Sequence, residues 1–297
     1  PIIGPIAAMG SFLLTGLGMH VSQTAGLALA TDLATEETRP RVVALLYLML
    51  LVGMISSAVI FAALLDDFSY VRLIQVIQSA AVITLILNVA AMWKQEVRYP
   101  ELTDHERERP TFGSAWGEFI NLPKARRLLW ALGLGTMGFT MQDILLEPYG
   151  AHVLGLSVSE TTLLTALFAG GMVLALLMTS RTLKKGVDPI RLASVGVLIG
   201  IVAFVAVILS APLQSTGLFQ IGATLIGVGN GLFAVGMLTA AMVFGGAKMA
   251  GLTLGAWGAV QAAATGLAMF SGGAIRDVVT GWADAGLLGI AMQTPAS

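Results

Sequence analysis

Long apolar stretches alternating with short polar segments dominate this chain. A helix needs about 20 apolar residues to cross the ~30 Å hydrocarbon core of a bilayer, and eight stretches reach that length. The eight predicted spans are 1–30, 42–65, 70–92, 128–147, 159–182, 189–210, 217–244 and 249–275. The pattern therefore predicts an all-α polytopic membrane protein.

Composition supports the same fold class. The chain is 56% hydrophobic and 11% charged, whereas soluble domains carry about 25% charged residues. Its mean hydropathy is +0.85. Its net charge of −1 says nothing about partners, but the sequence shows no patch that would predict nucleic-acid binding. Three histidines, His20, His105 and His152, lack metal-ligand spacing. Since no Ser, His and acid set falls at one depth either, we expect no enzyme activity.

Lysine and arginine collect in alternate loops, which predicts the topology. Cytoplasmic loops retain an excess of these residues during insertion. Loops on one side hold fourteen of them, and loops on the other side hold Arg72 and Arg276. The fourteen are Arg39, Arg41, Lys94, Arg98, Arg107, Arg109, Lys124, Arg126, Arg127, Arg181, Lys184, Lys185, Arg191 and Lys248. We therefore expect the first span to run inward.

The longest polar segment, 93–127, divides the chain and includes the charged run 101–109. It predicts a cytoplasmic central linker, with three spans in 1–92 and five spans in 128–297. A long central loop is typical of the major facilitator superfamily, whose two six-helix halves are repeats. On that basis we expect a major-facilitator-like bundle with eight of twelve spans present. Three spans would precede Pro1, and one would follow Ser297.

Near the end of this linker, an amphipathic pattern leaves two interpretations open. Trp116, Phe119 and Ile120 share one helical face beside Lys124. They can form a short interfacial helix that lies on the anionic leaflet. Alternatively, the segment is a loop that packs under the bundle.

Two motifs carry a family resemblance. The first is ATDLATEETRPRVVA at 30–44, continuing as LLYLMLLVGM at 45–54. The second is GFTMQDILLEPYG at 138–150, followed by VLGLSV at 153–158. These residues are similar to those of the PucC/LhaA family, the major-facilitator-like bacteriochlorophyll delivery proteins of purple phototrophic bacteria.

The resemblance implies a function in assembling light-harvesting antenna complexes, with bacteriochlorophyll bound or carried. It implies antenna polypeptides, the reaction centre, pigment-synthesis enzymes and the lipid membrane as partners. It also implies a multi-pass location in the bacterial inner, intracytoplasmic photosynthetic membrane. It does not distinguish a core-antenna client from a peripheral one. The alternative is a secondary transporter that moves a small solute by alternating access.

Polar residues at membrane depth are costly and usually face an interior. Counting ~1.5 Å per residue from the inner ends places His20, Asn230 and Gln261 near the midplane, while Gln142 and Asp143 lie toward the outer side. The family resemblance implies that the spans bearing His20, Gln142 and Asn230 line a central cavity. These five residues, with Gln23 one turn from His20, are the candidate pigment-binding residues.

His20 has two interpretations. A neutral imidazole can ligate the magnesium of a chlorin, since histidine is a common metal ligand. A histidine in a membrane helix is also often a hydrogen-bonded packing residue. Asp143 and Glu147 have the further alternative of a proton-coupling pair. For Glu147 we expect instead that it ends its helix at the outer surface, because Pro148 follows.

The charged cluster Glu36, Glu37, Arg39 and Arg41 also has two interpretations. It can act as a conformational latch or as a docking site for a cytoplasmic partner. In the structural interpretation, Thr35 caps a short turn and the arginines extend to the inner leaflet. The structural role is favoured because charged residues beside spans commonly anchor topology.

Overall fold

The computed structural model describes residues 3–35, 37–64, 69–93, 111–156 and 158–285, and every regular element in these ranges is helical. The helices are α1 (Ile3–Leu33), α2 (Arg39–Leu64), α3 (Tyr70–Ala91), α4 (Phe112–Asn121), α5 (Pro123–Thr140), α6 (Leu146–Val153), α7 (Val158–Lys184), α8 (Pro189–Ser210) and α9 (Thr216–Asp284). A short 3₁₀ helix, Met141–Ile144, separates α5 from α6.

Four helical segments in the described ranges are long and apolar enough to cross a membrane. They are Tyr70–Ala91, Leu164–Lys184, Pro189–Ser210 and Thr216–Phe244. The chain is therefore an all-helical membrane protein. The count of eight spans and the major-facilitator-like arrangement stay predictions.

Two compact units make up the chain. One combines residues 1–47 with residues 116–297, and the other comprises residues 48–115. In the second unit, the Ser69 hydroxyl caps α3 by accepting a hydrogen bond from the Arg72 backbone N–H at 3.1 Å. The division of the chain at the linker 93–127 stays a prediction.

The predicted span 128–147 is interrupted in the structure. Helix α5 ends at Thr140, and α6 begins at Leu146 after the 3₁₀ helix. The expectation that Glu147 ends a helix is wrong, because Glu147 lies in the first turn of α6. Proline is tolerated there because the backbone N–H groups of a first turn have no intrahelical partner. An acidic residue in that turn also interacts favourably with the helix dipole.

The two predicted spans 217–244 and 249–275 belong to the single helical element α9. Gly133 and Gly135, two residues apart on α5, each lie against α9. A Cβ on Gly133 would lie 3.4 Å from Val260 Cγ1, and the Phe233 ring fills the space beside Gly135. In a straight helix, Phe233 and Val260 would be ~40 Å apart. Helix α9 therefore reverses direction, and we call 216–244 leg A and 249–284 leg B.

Glycines bring α7 and α8 into backbone contact with leg A. Gly227 lies against the Phe168 carbonyl oxygen of α7. On another side of leg A, a Cβ on Gly229 would lie 2.7 Å from the Gly196 carbonyl oxygen of α8. Small residues permit such close approach between membrane helices. Most of the core therefore lies among α7, α8 and leg A.

The linker segment around Trp116 is helical and packs under the bundle. Phe119 of α4 is fully buried and clusters with Ala125, Leu129 and Ala256. Its ring also lies 6.0 Å from that of Phe244, centre to centre. The segment is therefore helical, as in the first interpretation, and packs against the bundle, as in the second. The charged run 101–109 lies outside the described residues.

Candidate ligand-binding site

Helix α1 packs on leg B at one end and is exposed at the other. Thr24 Oγ1 lies 2.9 Å from the position of a Cβ on Gly258, and Leu27, one turn further along α1, is buried. Toward the N-terminal end of α1, Leu17 and Leu13 lie on the same face as Thr24 but are 55% and 61% exposed. We call the region beside this exposed face of α1, next to leg B, the crevice.

His20 lies at the end of this crevice where α1 packs on leg B. It is one turn before Thr24 on the same face of α1 and is half-buried. In the predicted topology α1 runs inward and leg B runs outward, which places His20 at the level of Gln261. The Gln261 side chain has a buried Oε1 with no hydrogen-bond partner in the described part of the chain.

Asn230 of leg A lies at nearly the same depth. It is 14 residues before Phe244, and Gln261 is 12 residues after Met249. At 1.5 Å per residue, the two amides therefore differ in depth by only ~3 Å. Asn230 is half-buried. On this count and in the predicted topology, three of the candidate residues, His20, Asn230 and Gln261, are expected at one level on three helical segments.

The other candidates lie elsewhere. Gln142 is buried in the 3₁₀ helix, where its Nε2 donates to Asp143 Oδ1, and Asp143 is exposed. The neighbouring Met141 packs against Gly272 of leg B, which is 11 residues, or ~16 Å, beyond Gln261. Gln23 is exposed on α1. The predicted set therefore divides into three residues expected near the midplane, His20, Asn230 and Gln261, a separate pair at 142 and 143, and the exposed Gln23.

The Glu147 carboxylate accepts a hydrogen bond from a neighbouring helix. The Thr165 hydroxyl of α7 donates to Glu147 Oε1 at 3.1 Å. The Tyr149 hydroxyl donates to the Val207 carbonyl oxygen of α8 at 3.4 Å. These two bonds fasten α6 to α7 and α8, so Glu147 positions the outer helix.

The charged turn is described only in part. Glu36 and the Arg39 side chain lie outside the described residues, while Glu37 and Arg41 are exposed. The hydroxyls of Thr35 and Thr38 lie 2.9 Å apart, and the Thr38 backbone N–H donates to the Thr35 carbonyl oxygen at 3.0 Å. Thr35 and Thr38 therefore form a hydrogen-bonded turn immediately before α2.

Two polar residues near Gln261 were missed by the sequence analysis. Thr253 and Trp257 are fully buried, and Thr253 Oγ1 and Trp257 Nε1 are orphan atoms, as is Gln261 Oε1. By orphan atoms we mean buried side-chain atoms without a hydrogen-bond partner in the described ranges. Leaving such an atom unpaired costs ~1–3 kcal/mol. The sequence signal that could have revealed them is the four-residue spacing of Thr253, Trp257 and Gln261, which places them on one helical face. Trp257 gave no sign by itself, because tryptophan is a common apolar residue of membrane spans.

The donor set fits a chlorin better than a multiply ligated metal ion. Among the described residues, no group of three or more His, Asp or Glu side chains is placed to hold a metal. A chlorin magnesium receives four ring nitrogens and needs one axial ligand, which His20 can supply. The orphan atoms offer hydrogen bonds to a large apolar ligand, so these residues fit the group.

Comparison with known proteins identifies the family. The family model described as "PUCC protein" matches residues 1–293. The chain belongs to the PUCC family. The resemblance seen at 30–54 and 138–158 is thus confirmed.

Curated relatives of this PUCC chain come from purple bacteria. "Protein PucC" of Rhodovulum sulfidophilum is 50% identical over 285 residues, covering 93% of this chain and 62% of the relative. An "Uncharacterized protein in puhA-bchM intergenic region" of Rhodobacter capsulatus is 51% identical over 96% of this chain and 60% of the relative. "Protein PucC" of Cereibacter sphaeroides is 43% identical, with coverages of 95% and 61%.

The PUCC chain spans about three fifths of the length of these relatives. No solved structure matches it.

Proposed function

We propose that the chain belongs to an assembly factor for photosynthetic light-harvesting antenna complexes, one that binds bacteriochlorophyll and delivers it to nascent antenna polypeptides. Membership of the PUCC family and the membrane-spanning helices support this function. The observation that supports it is the orphan Oε1 of Gln261, which the predicted topology brings to the level of His20 beside α1.

The roles of the two residues follow from imidazole chemistry. His20 would hold the chlorin magnesium through one ring nitrogen, and the other ring nitrogen would carry the proton. Metal-ligating histidines usually donate that second N–H to a carbonyl or carboxylate oxygen, which fixes the ring orientation. Gln261 Oε1 supplies the carbonyl oxygen. Pigment binding therefore gives the orphan amide oxygen its partner.

The crevice accounts for how an apolar pigment reaches His20. Leu13 and Leu17 line its open end and face the lipid region, so a chlorin can enter sideways from the bilayer. No Lys or Arg lies near the midplane of the spans that form it. An apolar macrocycle therefore displaces no charged group.

The expected partners follow from where the chain lies. Antenna polypeptides would receive pigment within the photosynthetic membrane, and contact would run along exposed apolar helix surfaces. The reaction centre and pigment-synthesis enzymes are further expected partners. The linker 93–127 would lie in the cytoplasm, as the distribution of Lys and Arg predicts. The chain itself performs no catalytic step in this proposal.

The decisive measurement is the near-infrared absorption spectrum of the gently purified protein. We expect bacteriochlorophyll bands in a fixed ratio to protein, and a His20→Leu variant should lose most of them. His152→Leu is the matched control, because His152 is exposed on α6 and should keep full occupancy. Pigment-free wild-type protein in a native fold would refute the function, and solute uptake by its proteoliposomes would establish the transporter alternative.

A further inference from the structure

Three orphan atoms follow one line along leg B. Thr253 Oγ1, Trp257 Nε1 and Gln261 Oε1 are spaced by four residues, so they share a helical face at steps of ~6 Å. Thr253 and Trp257 are 0% and 1% exposed. We call this line the orphan stripe.

Other hydroxyls on leg A and leg B bond within their own helix, unlike that of Thr253, although Thr239 Oγ1 of leg A is also an orphan atom. The Thr224 hydroxyl donates to the Gln220 carbonyl oxygen at 2.8 Å, and the Ser271 hydroxyl donates to the Leu267 carbonyl oxygen at 2.7 Å. Such bonding to the preceding turn is the usual local solution for a helical hydroxyl. Thr253, as part of the orphan stripe, leaves its donor free.

Trp257 is the more informative member, because an indole N–H can only donate a hydrogen bond. Buried tryptophan usually finds an acceptor, and a bilayer interior offers no water to replace one. The N–H of Trp257 therefore requires an acceptor from outside the described residues. That acceptor must lie within an otherwise apolar environment.

The orphan stripe faces the bundle beside the crevice. Leg B contacts the α4–α5 region through Ala256 and α1 through Gly258. Successive residues of a helix point about 100° apart, so the Trp257 side chain points between the direction of Ala256 and that of Gly258. Phe270, on the opposite side of leg B, is 76% exposed. The stripe therefore continues the polar lining of the crevice inward from Gln261.

We propose that Trp257 binds the pigment directly, by donating its indole N–H to a peripheral carbonyl of bacteriochlorophyll, and that Thr253 donates to a second carbonyl or ester oxygen. The inference rests on the proposed function and extends it from magnesium ligation to orientation of the ring. His20 fixes the centre of the macrocycle, and the stripe fixes its rotation. A carbonyl-bearing, flat and apolar ligand gives both donors of the stripe, the Trp257 N–H and the Thr253 hydroxyl, an acceptor, while Gln261 Oε1 accepts from His20.

The test compares Trp257→Phe with Trp130→Phe. Phenylalanine retains an aromatic ring and removes the N–H, while Trp130 is 71% exposed on α5 and serves as the control. Resonance Raman spectra of the bacteriochlorophyll-loaded proteins report each carbonyl stretch. In Trp257→Phe, one carbonyl band should shift to the higher frequency of a free group. Trp130→Phe should leave every band in place.

The two proposals fail in different ways. Unchanged carbonyl bands in a pigment-loaded Trp257→Phe protein would overturn the role of Trp257 while leaving pigment binding intact. Absence of pigment from the wild-type protein would overturn the proposed function itself.

Discussion

Gly171 of α7 lies directly against the backbone carbonyl oxygen of Thr224 on leg A, where a side chain has no space. The preceding residue, Gly170, faces open space, with no atom of the described chain within 4 Å of its Cβ position. Two adjacent glycines of one helix therefore have opposite roles. Gly171 permits a helix contact, and Gly170 does not take part in it.

We expect Gly171→Ala to lower the free energy of unfolding by about 1–3 kcal/mol. The added methyl group must push two backbones apart, and overpacking usually costs that much. Gly170→Ala should leave stability unchanged or raise it by up to ~1 kcal/mol, because alanine favours the helix. Unfolding in detergent measures both. Equal effects of the two substitutions would show that α7 and leg A do not touch at Gly171.

Phe119→Ala should destabilise the protein by about 3–5 kcal/mol, the usual cost of removing a buried aromatic side chain. Phe112→Ala on the same helix should change stability by less than ~0.5 kcal/mol, because Phe112 is 73% exposed. Thermal melting of the purified protein distinguishes them. If α4 lay flat on the membrane surface, neither substitution would alter the melting of the bundle.

The reversal of α9 can be tested by cross-linking, since the chain has no cysteine. We expect a disulfide in Gly133→Cys with Val260→Cys, and we expect a short thiol cross-linker that spans the length of the lost ring to join Gly135→Cys with Phe233→Cys, because both legs of α9 pack on α5. A disulfide needs Cβ atoms about 3.5–4.5 Å apart.

The matched control pairs Gly138→Cys with Val260→Cys. The Cβ position on Gly138 has no described atom within 4 Å, so this pair should stay reduced. Gel mobility under non-reducing conditions shows the outcome. A straight α9 would allow only one of the two test pairs to form.

Apolar length alone predicted one helix to the residue. The predicted span 189–210 has the bounds of α8, because Asp188 caps its N-terminus by accepting a hydrogen bond from the Ile190 backbone N–H at 2.7 Å. Pro189 at the first position reinforces this start. Where such local signals exist, the sequence is sufficient to place a helix.

Other features depend on contacts that no local pattern encodes. The break at Met141–Ile144 contains neither glycine nor proline, so the periodicity of α5 gave no sign of it. The depth of Gln261 could be counted from its span, but its relation to His20 depends on the packing of Thr24 against Gly258. Trp257 escaped notice because hydrogen-bond satisfaction is a property of the folded structure rather than of residue type.

The glycine contacts among α7, α8 and leg A have a consequence for motion. In this block, backbone meets backbone at Gly227 and Phe168 and at Gly196 and Gly229, so there are few side chains whose rotamer changes could let one helix slide past another. We therefore expect the three segments to move as one rigid body. An opening that admits a ligand is then expected at the crevice beside α1, with α1 as the movable wall and the glycine block as the fixed one.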